Sequence, residues 1–387
     1  MTDSKKGAET LYTNLDITNQ EGSEVKISGE IPTEVQVPYR EKAIKKLGEN
    51  ATIDGFRKGH IPEKVLVEKV GEERVLHEVA EMAITDIYPA IVIKNKLDVI
   101  GRPQVSITKL AAGNPIGFSI TTAVMPEVSL PDHKKIAEEV MKEKDDLEVT
   151  DADVEKVLTE VRQGKARFDK AKAEAEAKES GADGGENEEA KDSKEDLEEE
   201  LPELDDAFIA TLGGDFKTVK EFEERVRKDL GVEKERKARE KKRVTLSEKL
   251  IEEAKADLPK VMVESELDKM LAQMKDDVAR AGMKFEDYLT HVKKTEEDMR
   301  AEWKEQAEKR AKLQLVLNKI ATMEDIHADH DEVHKEMDKI LEQFKDANPE
   351  NVHIFVETQL TNEAVFNFLE NGGKKDRNKE EKQEAGQ

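Results

Sequence analysis

Residues Glu174–Glu200 hold 13 acids and 3 lysines, a net charge of −10 in 27 residues, with Leu197 their one large apolar side chain. Such a stretch buries too little surface to offset the entropy of ordering it, so it is expected to be disordered. It divides the 387-residue chain into parts that must fold separately, two to three domains by length. The whole chain is 36% hydrophobic, 4% aromatic and 40% charged, with a formal net charge of −25. A core drawn from that composition is thin relative to its surface, which favours an elongated helical protein over one large globule. The absence of cysteine excludes disulfides, thiolate catalysis and cysteine-based zinc sites. No apolar run long enough for a secretory signal or a membrane span occurs, so the expected compartment is the cytoplasm, away from any membrane. The acidic balance argues against nucleic-acid binding over the whole surface, and leaves room for a small local contact.

Before the acidic tract the pattern is α+β. Val25, Ile27 and Ile31 fall near alternate positions in Glu24–Glu34, which predicts a strand. Val37–Leu47 predicts a helix, and residues 51–62 a glycine-punctuated loop. Pro62 can open the next helix, where its missing N–H costs nothing, and Glu63 suits that helix N-terminus. The apolar period then runs from Val65 to about Lys94 as continued helix. Val99–Thr108 and Ile116–Met125 predict two strands joined by Ala-Ala-Gly-Asn-Pro. The expected fold is a small antiparallel sheet with helices over residues 20–130.

Residues 131–200 are expected to be a helical and acidic linker. Thr150 and Asp153 make a start resembling a capping box for a helix carrying Val154, Val157, Leu158 and Val161 on one face. Residues 201–371 are expected to be all helical, with long arm-like helices, and residues 372–387 a disordered tail. Thr218–Leu258 reads as one helix ended by Pro259, with its charged middle either solvated or broken at Gly231. Val261–Ala281, Lys284–Lys293, Glu296–Thr322, Asp331–Phe344 and Val352–Leu369 follow, the last stopped by Asn371-Gly-Gly.

The most distinctive short segment is Gly55-Phe56-Arg57-Lys58-Gly59-His60-Ile61-Pro62. Its two glycines allow sharp turns and bracket one aromatic and two cations. An exposed Phe beside Arg and Lys suits docking onto an apolar protein notch next to phosphates. The competing explanation is a polar turn whose Phe folds back on its own domain.

This octet resembles the ribosome-docking signature of the trigger factor family of bacterial ribosome-associated chaperones. The element order before Pro131, the segment Glu200-Leu-Pro-Glu-Leu-Asp-Asp-Ala-Phe208, and the stretches Met262–Leu289 and Thr295–Ile320 are similar as well. The resemblance implies docking through Gly55, Phe56, Arg57, Lys58, Gly59 and Pro62 onto a ribosomal protein and adjacent rRNA at the polypeptide exit of the large subunit. It further implies a helical cradle for nascent or unfolded chains, and a weak homodimer off the ribosome. No cofactor is expected. Family members usually carry a prolyl-isomerase domain of the FK506-binding type between the two parts. Here Asp151–Leu201 leaves only a charged helix and an acidic linker, so that domain, and with it enzymatic activity, is expected to be absent.

Three weaker signals stay open at this level. His327, His330 and His334 with Asp329 and Asp331 have metal-like spacing, or are solvated histidines at a helix start capped by Asp329. Arg225–Arg243 holds 10 cations and 4 acids, which are a solvated helix face, a partner for the acidic linker, or an RNA contact. Met262, Met270, Met274, Leu289, Met299 and Trp303 are core packing or an adaptable surface for unfolded clients. The alternatives to a ribosome-docked chaperone are a ribosome-independent holdase or assembly factor, and an enzyme, either an isomerase with a hidden site or a metal hydrolase around His330.

Overall fold

The computed structural model describes residues 11–52, 56, 60–179, 201–213 and 216–374, with side chains described as far as residue 172 in the helix that ends at Glu179. The chain divides into two units, Met1–His133 with Leu250–Asn367, and Lys134–Lys249 with Phe368–Gln387.

The first unit begins with a four-stranded antiparallel sheet of β1 (Thr13–Gln20), β2 (Glu24–Ile31), β3 (Val99–Lys109) and β4 (Ile116–Val124), in the order β1-β2-β4-β3. In the central pair Ile27 lies opposite Ile120, Gly29 opposite Phe118 and Ile31 opposite Ile116, so one face collects the apolar residues of both strands. Helices α1 (Thr33–Asn50), α2 (Glu63–Val70) and α3 (Glu72–Asn95) supply the other side of this core. Val75, Val79, Ala83, Ile87 and Ile91 recur every fourth residue along α3 and are all buried. Gly29 is needed here, because a Cβ on it would stand 2.7 Å from Phe118 Cζ. Gln36 is buried and donates to the carbonyls of Ile31 and Asn114 at 2.9 and 3.0 Å, fastening α1 to the end of β2 and to the β3–β4 connection.

Several expectations are corrected. Strand β1 was not anticipated, since its residues are mostly exposed and polar. The helix expected to run from Pro62 to about Lys94 is two, split at Gly71, whose φ of 87° lies outside the helical region. Pro62 sits just before α2 as its N-cap residue, and its carbonyl accepts from the N–H groups of Val65 and Leu66, both at 3.0 Å.

The helical part of this unit comprises α8 (Lys260–Arg280), α9 (Phe285–Val292), α10 (Glu296–Glu324), α11 (His330–Gln343) and α12 (Pro349–Glu370), the last ending within the second unit. Val263 and Leu267 of α8 pack on Ala307 of α10, with Arg300 bonding Glu264 at 3.1 Å and also Asp268. Thr295 and Asp298 close a capping box at the start of α10. Val333 of α11 packs on Val352 and Val356 of α12.

The second unit holds most of α4 (His133–Met141), then α5 (Asp151–Glu179), α6 (Asp206–Thr211) and most of α7 (Val219–Glu253). Val154 and Leu158 of α5 pack on Val226 of α7, with Leu204 and Phe222 against them. The capping interaction at Thr150 and Asp153 is present, with Asp153 N–H donating to Thr150 Oγ1 at 3.2 Å. Helices α4 and α6 lie within segments expected to be helical, though neither was delimited from the sequence. The acidic tract was expected to lose structure from Glu174, yet α5 continues to Glu179, and residues 180–200 lie outside the described residues. Helix α7 passes through Gly231 unbroken and stops at Glu253 rather than Leu258. Pro259 therefore does not end it; it precedes α8 as N-cap.

Candidate functional site

The segment between α1 and α2 is anchored at both ends. Ala51 and Ile61 pack against the N-terminal core, while Thr52, Phe56 and His60 between them are exposed. Phe56 is 41% exposed. Gly55, Arg57, Lys58 and Gly59 lie outside the described residues.

Beside these anchors the helices are cross-braced. Arg40 of α1 reaches both following helices, bonding Glu63 at 3.1 Å and Glu72 through two guanidinium nitrogens at 2.5 and 3.0 Å. The hydrogen bond from Arg40 holds the Glu72 carboxyl below the usual range, and the same bond raises the guanidinium. Burial, with the Tyr39 hydroxyl donating to Asp86 at 2.9 Å, pushes the Tyr39 phenol up to about 12. This bracing ties α1 to the first residues of α2 and α3, the helices that follow the exposed segment.

The residues considered for client contact divide. Met299 is 4% exposed and belongs to the interior, which removes it from any open surface. Met270 and Trp303 pack against Val263, Leu267 and Ala307. Met262, Met274 and Leu289 are half-buried. Sequence reasoning overlooked Ile354 and Phe355 of α12, which are 58% and 57% exposed. Their signal was the unbroken run Ile354-Phe355-Val356, because consecutive residues on a helix point about 100° apart and cannot all face one partner. Val352 and Val356 take the buried side, which turns Ile354 and Phe355 outward.

The basic stretch of α7 is largely committed to protein contacts. Arg225, Arg236 and Lys237 pair along the helix with Asp229, Glu240 and Glu233. Arg227, Lys234 and Lys242 reach Asp151, Asp153 and Asp145, which lie far earlier in the chain. Arg239 and Arg243 both hold Glu370. Burial raises the Glu370 carboxyl, but the hydrogen bonds from Arg243 and Arg239 outweigh it and leave it below the usual range. These cations thus fasten the segment 145–153 and the end of α12 to α7.

Among the histidines, Asp329 caps α11 by accepting from the Glu332 N–H at 3.0 Å, and His327 sits 3.0 Å from Asp325. Among the described residues no three or more His, Cys, Asp or Glu side chains gather as a metal site. No helix among them is long and apolar enough to cross a membrane.

Family models match both ends of the chain. The model for bacterial trigger factor protein covers residues 13–161, and that for the bacterial trigger factor C-terminus covers residues 218–372. The trigger factor of Halalkalibacterium halodurans is 27% identical over 377 residues, covering 81% of this chain and 86% of its own. That of Bacillus subtilis is 28% identical over 387 residues, covering 84% and 90%. A solved structure described as "Promiscuous Substrate Recognition in Folding and Assembly Activities of the Trigger Factor Chaperone" shares the fold at a TM-score of 0.51 and 18% identity, covering 94% of this chain and 100% of that one. With one family matched at each end, on a four-stranded sheet followed by helices, the chain belongs to the bacterial trigger factor family.

Proposed function

We propose that this chaperone docks at the polypeptide exit of the large ribosomal subunit through Gly55, Phe56, Arg57, Lys58, Gly59 and Pro62. It holds nascent or unfolded chains there without ATP. The observation that supports docking is the exposure of Phe56 between two anchored residues, Ala51 and Ile61. An exposed aromatic with neighbouring cations offers an apolar anchor for an exit-site ribosomal protein and charge for the adjacent rRNA.

Residues 20–130 act as the ribosome-binding domain and residues 131–200 as the linking segment. Residues 201–371 form the client-holding domain, with 372–387 a tail. Within the client domain Ile354 and Phe355 join Met262, Met274 and Leu289 as contacts. One large apolar side chain contributes about 1.5–3 kcal/mol on burial, so micromolar holding, near −8 kcal/mol, takes several contacts after ordering costs. The protein works in the cytoplasm and self-associates weakly off the ribosome.

The chain works by binding, without isomerase turnover. A prolyl-isomerase pocket needs a sheet, and among the described residues every strand belongs to the N-terminal sheet. Light scattering from an aggregating unfolded client, with no nucleotide present, tests the holding role, and full aggregation at equimolar chaperone refutes it. A proline-limited refolding assay tests the second statement, and a rate that rises with chaperone concentration refutes it.

A further inference from the structure

Two histidines that sequence spacing does not bring together meet where α11 packs on α12. The ring centroids of His334 and His353 are 6.3 Å apart, with planes inclined at 66°. Their positions are fixed by the valines beside them, since Val333 is buried against Val352 and Val356. His353 Nδ1 lies 3.8 Å from the carboxylate of Glu357, one turn further along α12.

We propose that His334 and His353 form a cross-helix site for a divalent first-row transition ion, Zn²⁺, Ni²⁺ or Cu²⁺, with water completing its coordination. A metal–nitrogen bond of about 2.0–2.1 Å places each ring centroid about 3.2 Å from the ion, so two ligating rings stand at most about 6.4 Å apart. The observed separation falls just inside that limit. Closing to a tetrahedral angle requires the centroids to approach by about 1 Å, and His334, whose side chain is exposed, is the ring that must turn.

The site is an open one. His330 lies one turn before His334, and among the described residues no three or more His, Cys, Asp or Glu side chains gather as a metal site. Two protein nitrogens bind less tightly than the four ligands of a structural zinc centre. Imidazole and water suit Zn²⁺, Ni²⁺ and Cu²⁺, whereas Mg²⁺ prefers oxygen ligands. Because the ligands come from two helices, the ion binds the packed pair and stabilises it by mass action. The inference stands apart from ribosome docking and does not depend on it.

The test is calorimetric titration of the full, untagged chain with NiCl₂ and with ZnCl₂ near pH 7.5, with MgCl₂ as control, and thermal melts with and without the ion. Ni²⁺ and Zn²⁺ are expected to bind and raise the melting temperature, while Mg²⁺ does neither. His334→Ala and His353→Ala should each weaken binding at least about tenfold and abolish the thermal shift. His330→Ala should stay within about twofold of the parent, and melts without metal check that each variant is folded. Parental binding no tighter than that of the His334→Ala/His353→Ala double variant overturns the proposal. So does binding that survives His353→Ala but is lost in His330→Ala, which would place the ion along α11 alone.

Discussion

Ser23 gives both of its donors to Asp257, its backbone N–H to the carboxylate at 2.8 Å and its hydroxyl to the backbone carbonyl at 2.6 Å. Ser23 lies in the turn between β1 and β2, where Gly22 and Ser23 have φ of 75° and 48°. These two left-handed residues let the three-residue loop 21–23 reverse the chain between the paired residues Gln20 and Glu24. That turn meets residues just after α7, where Ser129 and Lys255 exchange backbone hydrogen bonds at 2.9 and 3.1 Å. Nearby, a Cβ on Gly101 would stand 2.8 Å from Val261 Cγ2, so the sheet and the start of α8 approach closely. Within this unit the N-terminal sheet is seated on the helical part by a few polar bonds and one close backbone approach.

Asp257→Ala removes the acceptor for the Ser23 N–H. Water can replace part of that bond at an exposed site, so the expected cost is about 0.5–1.5 kcal/mol. A urea melt followed by circular dichroism should show the midpoint lowered in proportion. An unchanged midpoint would mean the contact contributes nothing to the stability of this unit.

Gly29→Ala places a methyl group against the fully buried Phe118. Overpacking a closed sheet–helix layer costs about 1–3 kcal/mol. Shortening the neighbour in Gly29→Ala/Phe118→Leu should recover part of the loss, so the two changes should be non-additive in urea melts. A Gly29→Ala variant as stable as the parent would show that the ring is free to move.

Asp153 accepts from Lys234 at 2.9 Å and from the N–H and hydroxyl of Thr150, both at 3.0 Å. The Lys234 bond chiefly, and then those from Thr150, lower its carboxyl to about 2. A depressed folded-state pKa gives stability that is present above the unfolded value of about 4 and is lost as pH falls toward the folded value. Urea midpoints measured between pH 5 and pH 2 should therefore fall more steeply for the parent than for Asp153→Asn. Parallel profiles would show that the carboxylate is not held by these partners in solution.

The N-terminal fold was largely legible because burial there follows strict periods. Val25, Ile27 and Ile31 alternate and α3 repeats every fourth residue, so pattern alone located both. Strand β1 escaped because its partner is β2 alone and its side chains are mostly exposed, so no apolar alternation marks it. Gly71 was passed over because Val70 and Val75 sit on either side of it and imitate a continuous period. Helix α7 looked breakable at Gly231 because the acids that neutralise its middle, Asp145, Asp153 and Glu370, lie far away in sequence. Spacing cannot show such partners. For the same reason Met299 looked like a surface candidate until the packing of the helices buried it.

The docking claim rests on Phe56, which is exposed between Ala51 and Ile61 in the α1–α2 connection. Losing one buried aromatic anchor at an interface costs about 2–4 kcal/mol, roughly 30-fold or more in affinity, and losing two cations adds to it. The most direct measurement is co-sedimentation with purified ribosomes of the parent chain and of Phe56→Ala/Arg57→Ala/Lys58→Ala, both confirmed folded by thermal melt. The parent should pellet with ribosomes and the triple variant should remain in the supernatant, whereas equal pelleting of the two would contradict docking through this segment.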